Sequence, residues 1–134
     1  MWVSGSGKGT LKENIEKENI ENLRFLKSYV TREMRPGEVN GDTYHFISKQ
    51  EFEDSIEKND FLEYEINHKV AYYGTKKSEV ENGLEAGEIL MKEVDTKGLK
   101  QLHEKHPDFK VNYTSFFLDV PDAILRERFF QRNP

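Results

Sequence analysis

Ser4-Gly5-Ser6-Gly7-Lys8-Gly9-Thr10 is the stretch whose reading decides the fold. Three glycines among small hydroxyl residues let a backbone curl tightly enough for consecutive N–H groups to face one anion, with Lys8 as a positive charge at the rim. Directly beyond, Leu11 and Ile15 lie one turn apart among Lys and Glu. That spacing predicts an amphipathic helix over residues 8–17, starting straight out of the glycine turn. A phosphate-binding loop at a helix N-terminus is built this way, and Thr10 adds a hydroxyl for a phosphate or for a metal's shell. Two positions depart from the general pattern: Trp2 stands where the first loop glycine belongs, and Gly9 follows Lys8 where Ser or Thr is usual. A dinucleotide fingerprint fits poorly, since its third glycine would fall at Thr10. A flexible N-terminal tail is the alternative without chemistry.

Composition narrows the surroundings of that loop. The chain has 134 residues, no Cys, and 20 Lys and Arg against 25 Asp and Glu. One domain, or a piece of one, is expected at this length. A formal net charge of -5 argues against a nucleic-acid binder, which needs a broad basic face, so any anion site must be local. One Trp, six Tyr and nine Phe suffice for a core. No apolar run of membrane length and no export signal are visible, so the expectation is a cytoplasmic chain with no membrane partner.

Further along, residues 25–31 read as a strand, turn residues fill 34–41, and a short strand is expected over 44–47. Ser48 with Glu51 three residues on is a capping box, predicting a helix over 49–58 that buries Phe52 and Ile56. Residues 61–66 and 71–73, joined through 67–70, suggest antiparallel strands, and Thr75 a cap for a helix over 76–84. Then the style changes: strand 88–94, helix 97–105 stopped by Pro107, apolar strand 113–118, and a helix opened by Pro121 and running to Arg132. Such alternation marks parallel strands with helical crossovers. Residues 28–75 read as a mixed-sheet insert between the two halves. Lys92 interrupts an otherwise strand-like run and must snorkel or find a partner.

The middle segment is the more specific. Ser28, Thr31, Arg32, Arg35, Gly37, Glu38, Gly41, Tyr44 and Phe46 stand at the spacing Ser-x-x-Thr-Arg-x-x-Arg-x-Gly-Glu-x-x-Gly-x-x-Tyr-x-Phe, and here the chain resembles the guanylate kinases. Two guanidinium forks and a phenol suit a dianionic phosphate, because Arg binds phosphate bidentately and keeps its charge. The Gly-Lys-Gly-Thr form of the first loop is also common among nucleoside monophosphate kinases. Glu63 matches the family glutamate that pairs with guanine through N1–H and the 2-amino group. Tyr73-Gly74-Thr75 resembles the element that brings a phenol to the GMP phosphate and a hydroxyl near the base, with Tyr72 read as core. Glu93-x-Asp95-x-x-Gly98 resembles the strand end whose Asp95 contacts the GMP side and whose Glu93 reaches Mg²⁺ only through water. Arg128 and Arg132 match lid arginines, four apart on one helical face.

The resemblance implies a P-loop fold of the α/β class: a three-layer core with a parallel sheet (residues 1–27 and 76–122), a small mixed α/β GMP-binding insert (28–75) and the start of a lid (123–134). It implies transfer of the ATP γ-phosphoryl group to GMP, giving ADP and GDP, with Mg²⁺ accompanying ATP. Ser4, Gly5, Ser6, Gly7, Lys8, Gly9 and Thr10 would hold the ATP phosphates; Lys8, Arg128 and Arg132 would neutralise the transferred group. Ser28, Arg32, Arg35, Tyr44, Glu63, Tyr73, Thr75 and Asp95 would hold GMP. The alternative is a guanylate-kinase-like binding module, or an inactive fragment, that retains GMP binding without turnover. His45, His68, His103 and His106 suggest no metal site. Only Met1-Trp2-Val3 precede the loop, where a buried strand is expected, and the chain stops at Asn133-Pro134 inside the lid. The expectation is therefore a truncated kinase with a nearly intact GMP site, an impaired ATP site and marginal stability.

Overall fold

A computed structural model describes residues 6–107 and 113–132. Ser4 and Gly5 of the expected phosphate loop lie outside the described residues, as do Trp2 and the final Asn133-Pro134. The chain divides into two compact units, Met1–Glu21 with Phe109–Pro134, and Asn22–Asp108.

In the first unit, helix α1 spans Lys8–Lys17, as its periodicity predicts. Gly7 precedes it with φ 92°, a left-handed turn that glycine adopts without a Cβ penalty. Helix α5 spans Asp122–Arg132, with Asp122 in its first turn favouring the positive end of the dipole. The strand expected over 113–118 does not form. Phe116 and Phe117 are 78% and 68% exposed. An apolar run becomes a strand only where a neighbour supplies the ladder for its backbone groups.

The second unit contains two sheets. Strands β1 (Leu23–Phe25) and β6 (Ile89–Met91) pair in parallel, Arg24 opposite Leu90. The other sheet has the order β3-β2-β5-β4, built from β2 (Tyr29–Val30), β3 (His45–Phe46), β4 (Phe61–Ile66) and β5 (Tyr72–Lys76). β2 pairs with β3 in parallel and with β5 antiparallel; β4 and β5 form an antiparallel hairpin. The single strand expected over 25–31 is thus two strands in two sheets. Its ends have different partners: Leu26 N–H bonds the Met91 carbonyl, whereas the Ser28 carbonyl accepts from His45 N–H. Residues 26–28 are the crossing point.

Helix α2 (Lys49–Glu57) carries both halves of the predicted capping box. It lays Phe52, fully buried, on Phe61 with ring centroids 4.4 Å apart, and Tyr72 completes the cluster edge-on. Ile56 packs against the cluster half-buried. Gly74 lies beneath it; a Cβ there would meet Phe61 ring atoms at 2.8 Å. Tyr72 is core, as read. Thr75 caps nothing: it is a β5 residue, and α3 (Lys77–Glu85) begins after Lys76 without a side-chain cap. Helix α4 (Thr96–Lys105) starts one residue earlier than expected because the Asp95 carboxylate caps it, accepting from Gly98 N–H at 2.7 Å.

Candidate functional site

In the first unit, Lys8 opens α1 and Gly9 and Thr10 follow on its first turn, where N–H groups without helical partners collect. Arg128 of α5 stands beside this turn, its Nη1 3.7 Å from the point a Cβ on Gly7 would occupy. A cation and a helix N-terminus beside one glycine are features that favour an anion. Arg132 lies one turn further along α5 and is exposed.

In the second unit the expected acceptor residues form two groups. The first surrounds Arg32. Its two terminal guanidinium nitrogens, Nη1 and Nη2, each bond one oxygen of Glu38 at 2.8 Å, and its Cζ lies 5.3 Å and 5.2 Å from the ring centroids of Tyr44 and Phe46. Tyr44 meets Tyr73 edge-on at 6.3 Å. Arg32, Tyr44 and Tyr73 are therefore together. Arg35 is three residues on, exposed, with its backbone N–H donating to Glu38 Oε1. The side-chain bonds from Arg32, then this backbone N–H, hold the Glu38 carboxyl down at about 2. A carboxylate occupying an Arg fork is chemically what a phosphate would be there.

The second group surrounds Gly98 at the start of α4. In β4 the register slips between Phe61 and Glu63, so Phe61 and Leu62 are both buried. Such a bulge re-aims the residue after it, here Glu63, which stands opposite Thr75 in the ladder. Thr75 Oγ1 donates to Glu63 Oε1 at 2.5 Å. A Cβ on Gly98 would lie 3.0 Å from Glu63 Oε2 and 3.3 Å from Asp95 Oδ1. Glu63, Thr75 and Asp95 thus converge at the N-terminus of α4, where the dipole favours carboxylates. Burial pushes the Glu63 carboxyl above its ordinary value, opposed by the Thr75 hydroxyl and the Lys92 charge.

Three residues outside the sequence-based assignment support these groups. Lys92 Nζ donates to Ser28 Oγ, the partner its position demanded. Gln101 of α4 clamps the backbone of Tyr64, accepting from its N–H at 2.7 Å and donating to its carbonyl at 3.1 Å, which covers the open edge of β4 beside Glu63. Glu79 of α3 accepts from Tyr29 Oη at 3.0 Å and lies 3.7 Å from Arg24, tying the two sheets together. No periodicity marks a Gln or Glu on a polar helix face for such work; Lys92 alone carried a signal, as a charge within a strand-like run. Among the described residues no group of three or more His, Cys, Asp or Glu gathers to hold a metal, and no helix is long and apolar enough to cross a membrane.

Residues 2–121 match the family model for guanylate kinase. The guanylate kinase of Wolinella succinogenes is 41% identical over 130 residues, which cover 96% of this chain and 58% of that protein. The enzyme of the same name from Lactiplantibacillus plantarum is 38% identical over 130 residues, 96% of this chain and 61% of its own length. The chain thus spans about 60% of these curated relatives. The crystal structure of guanylate kinase from Anaplasma phagocytophilum resembles the fold with a TM-score of 0.53 and 23% identity, covering 70% of this chain and 50% of that one.

Proposed function

Because this chain belongs to the guanylate kinase family, we propose that it carries the acceptor site and donor-phosphate turn of an ATP-dependent kinase that converts GMP to GDP. The observation that carries this reading is the placement of a half-buried carboxylate, Glu63, against Thr75 and the start of α4, in the same sheet as Tyr73, which with Arg32 and Tyr44 forms the other group. Guanine offers two adjacent donors, N1–H and the 2-amino group, to one carboxylate. Adenine offers no such edge, so the wrong base would leave the half-buried Glu63 carboxylate without the two donors that guanine supplies, which is where discrimination arises. Arg32 would exchange Glu38 for the acceptor phosphate, with Tyr44 and Tyr73 donating beside it and Arg35 and Ser28 completing the grip.

Phosphoryl transfer asks chiefly for positioning and charge neutralisation. Lys8, Arg128 and Arg132 would meet the charge on the donor phosphates, cradled by N–H groups after Gly7. A Mg²⁺ ion carried by ATP fills its shell mostly with phosphate oxygens and water and needs no protein cage. In the first unit the Thr10 hydroxyl is the oxygen donor that would fit that shell; when bound, the ion would neutralise charge on the donor phosphates. A coupled assay of ADP release with GMP, AMP or no acceptor tests the reading. GMP-dependent release with AMP near background supports it; GMP binding without turnover would leave only a binding module.

A further inference from the structure

Resting on that acceptor-site reading, we infer that Lys92 is a positioning residue of the GMP site: its ammonium fixes the Ser28 hydroxyl at the phosphate end, and its charge acts on the Glu63 carboxylate at the base end. Lys92 follows β6 directly, and Ser28 lies in the crossing between the two sheets. Because the ammonium can only donate, Ser28 Oγ accepts from it, which commits the hydroxyl proton to some other acceptor. A nucleotide phosphate oxygen is the acceptor the site would supply. A hydroxyl polarised by an ammonium is also a stronger donor than an isolated one.

At the base end, Glu63 must be ionised to accept two hydrogen bonds from guanine. Burial opposes that, and so do the carboxylates of Asp95 at the start of α4 and Glu65 on its own strand. The Thr75 hydroxyl from β5 and the Lys92 charge from the segment after β6 favour ionisation. Lys92 therefore links both ends of one ligand: without it the hydroxyl loses its fixed orientation and the carboxylate loses a counter-charge. This also accounts for a lysine where the strand pattern calls for an apolar residue.

The test compares GMP affinity by calorimetry across mildly acidic to neutral pH for the unaltered chain, Lys92→Met and Lys92→Arg. Lys92→Met keeps length and flexibility without charge. It should weaken GMP binding roughly tenfold, the size of one charge-assisted hydrogen bond, and raise the pH below which binding fails. Lys92→Arg should restore that pH toward the original. A Lys92→Met chain whose pH midpoint is unchanged overturns the inference, whatever its affinity. If Lys92→Met does not fold, the ¹³C titration of the Glu63 carboxyl in the unaltered chain and in Lys92→Gln decides instead, equal midpoints being the contrary result. Failure of the unaltered chain to prefer GMP over AMP would count against the acceptor site itself, a separate outcome.

Discussion

The Thr75 hydroxyl donates to Glu63 Oε1 at 2.5 Å across the β4–β5 ladder. That bond leaves Oε2 toward Gly98 and fixes the carboxylate before any ligand arrives. Holding a half-buried carboxylate in one orientation is the preorganisation a base-reading group needs. Glu63→Gln presents an amide whose N–H₂ faces guanine donors. GMP affinity should fall by about 10- to 100-fold, the worth of roughly 1.5–3 kcal/mol for a hydrogen bond to a charged group, while ATP affinity changes little. Calorimetry with each nucleotide separates the two, and equal losses would count against the assignment.

The same carboxyl makes stability and function pull apart with pH. Its folded value is raised above the ordinary 4.5, chiefly by burial. The folded state therefore holds its proton more tightly than the unfolded one. The stability this contributes is complete below 4.5 and lost as pH rises through the folded value. At neutral pH the ionised group thus costs stability, and Glu63→Gln should unfold at a higher urea concentration than the unaltered chain. The gap should close as pH falls through the folded value. Guanine binding runs the other way, failing as Glu63 protonates. Urea midpoints at several pH values test the stability half; a Glu63→Gln chain less stable at neutral pH would contradict it.

Arg32 and Glu38 give the opposite sign. Glu38 is held at about 2, first by the Arg32 side-chain bonds, so what the pair contributes is present above its ordinary 4.5 and lost as pH falls toward 2. Carboxyl NMR should find Glu38 still ionised well below 4.5, and Arg32→Gln should return its midpoint toward that value. Arg32→Lys keeps the charge but not the fork, and GMP affinity should drop by roughly tenfold or more. An unshifted Glu38 midpoint in Arg32→Gln would dissolve the pair.

Packing beneath the site is testable separately from its chemistry. Phe52 is fully buried between Phe61 and Tyr72, and Phe52→Ala should cost about 3–5 kcal/mol in urea unfolding. Gly98→Ala is the complementary change. Its Cβ would press on Glu63 Oε2 at 3.0 Å and Asp95 Oδ1 at 3.3 Å. GMP binding should suffer by tenfold or more while overpacking destabilises by about 1–3 kcal/mol. Unaltered affinity in Gly98→Ala would place the ligand elsewhere.

Local signals served the sequence reading well where a single short-range interaction decides the outcome. The Ser48–Glu51 box opened α2 as written, and the glycine turn opened α1. The ordered motif named Arg32 and Tyr44, and the further elements of the resemblance named Tyr73, which meets them in space, and Glu63, Thr75 and Asp95, which meet around Gly98. It failed where long-range partners compete. Residues 25–31 look like one strand because propensity does not register that Phe25 and Tyr29 belong to different sheets. Thr75 looks like a helix cap because its distant acceptor, Glu63, is invisible along the chain. Lys92 and Gln101 reach Ser28 and Tyr64 across separations of 64 and 37 residues, beyond any periodicity. The apolar run 113–118 shows that hydrophobic patterning proposes a strand but a neighbour must complete it.

The most direct measurement is calorimetric titration of this chain with GMP and with AMP, repeated in Glu63→Gln. Saturable 1:1 binding of GMP is expected, with AMP binding at least about tenfold weaker and most of that preference lost in the variant. GMP and AMP binding alike in the unaltered chain, or a preference untouched by Glu63→Gln, would contradict that expectation.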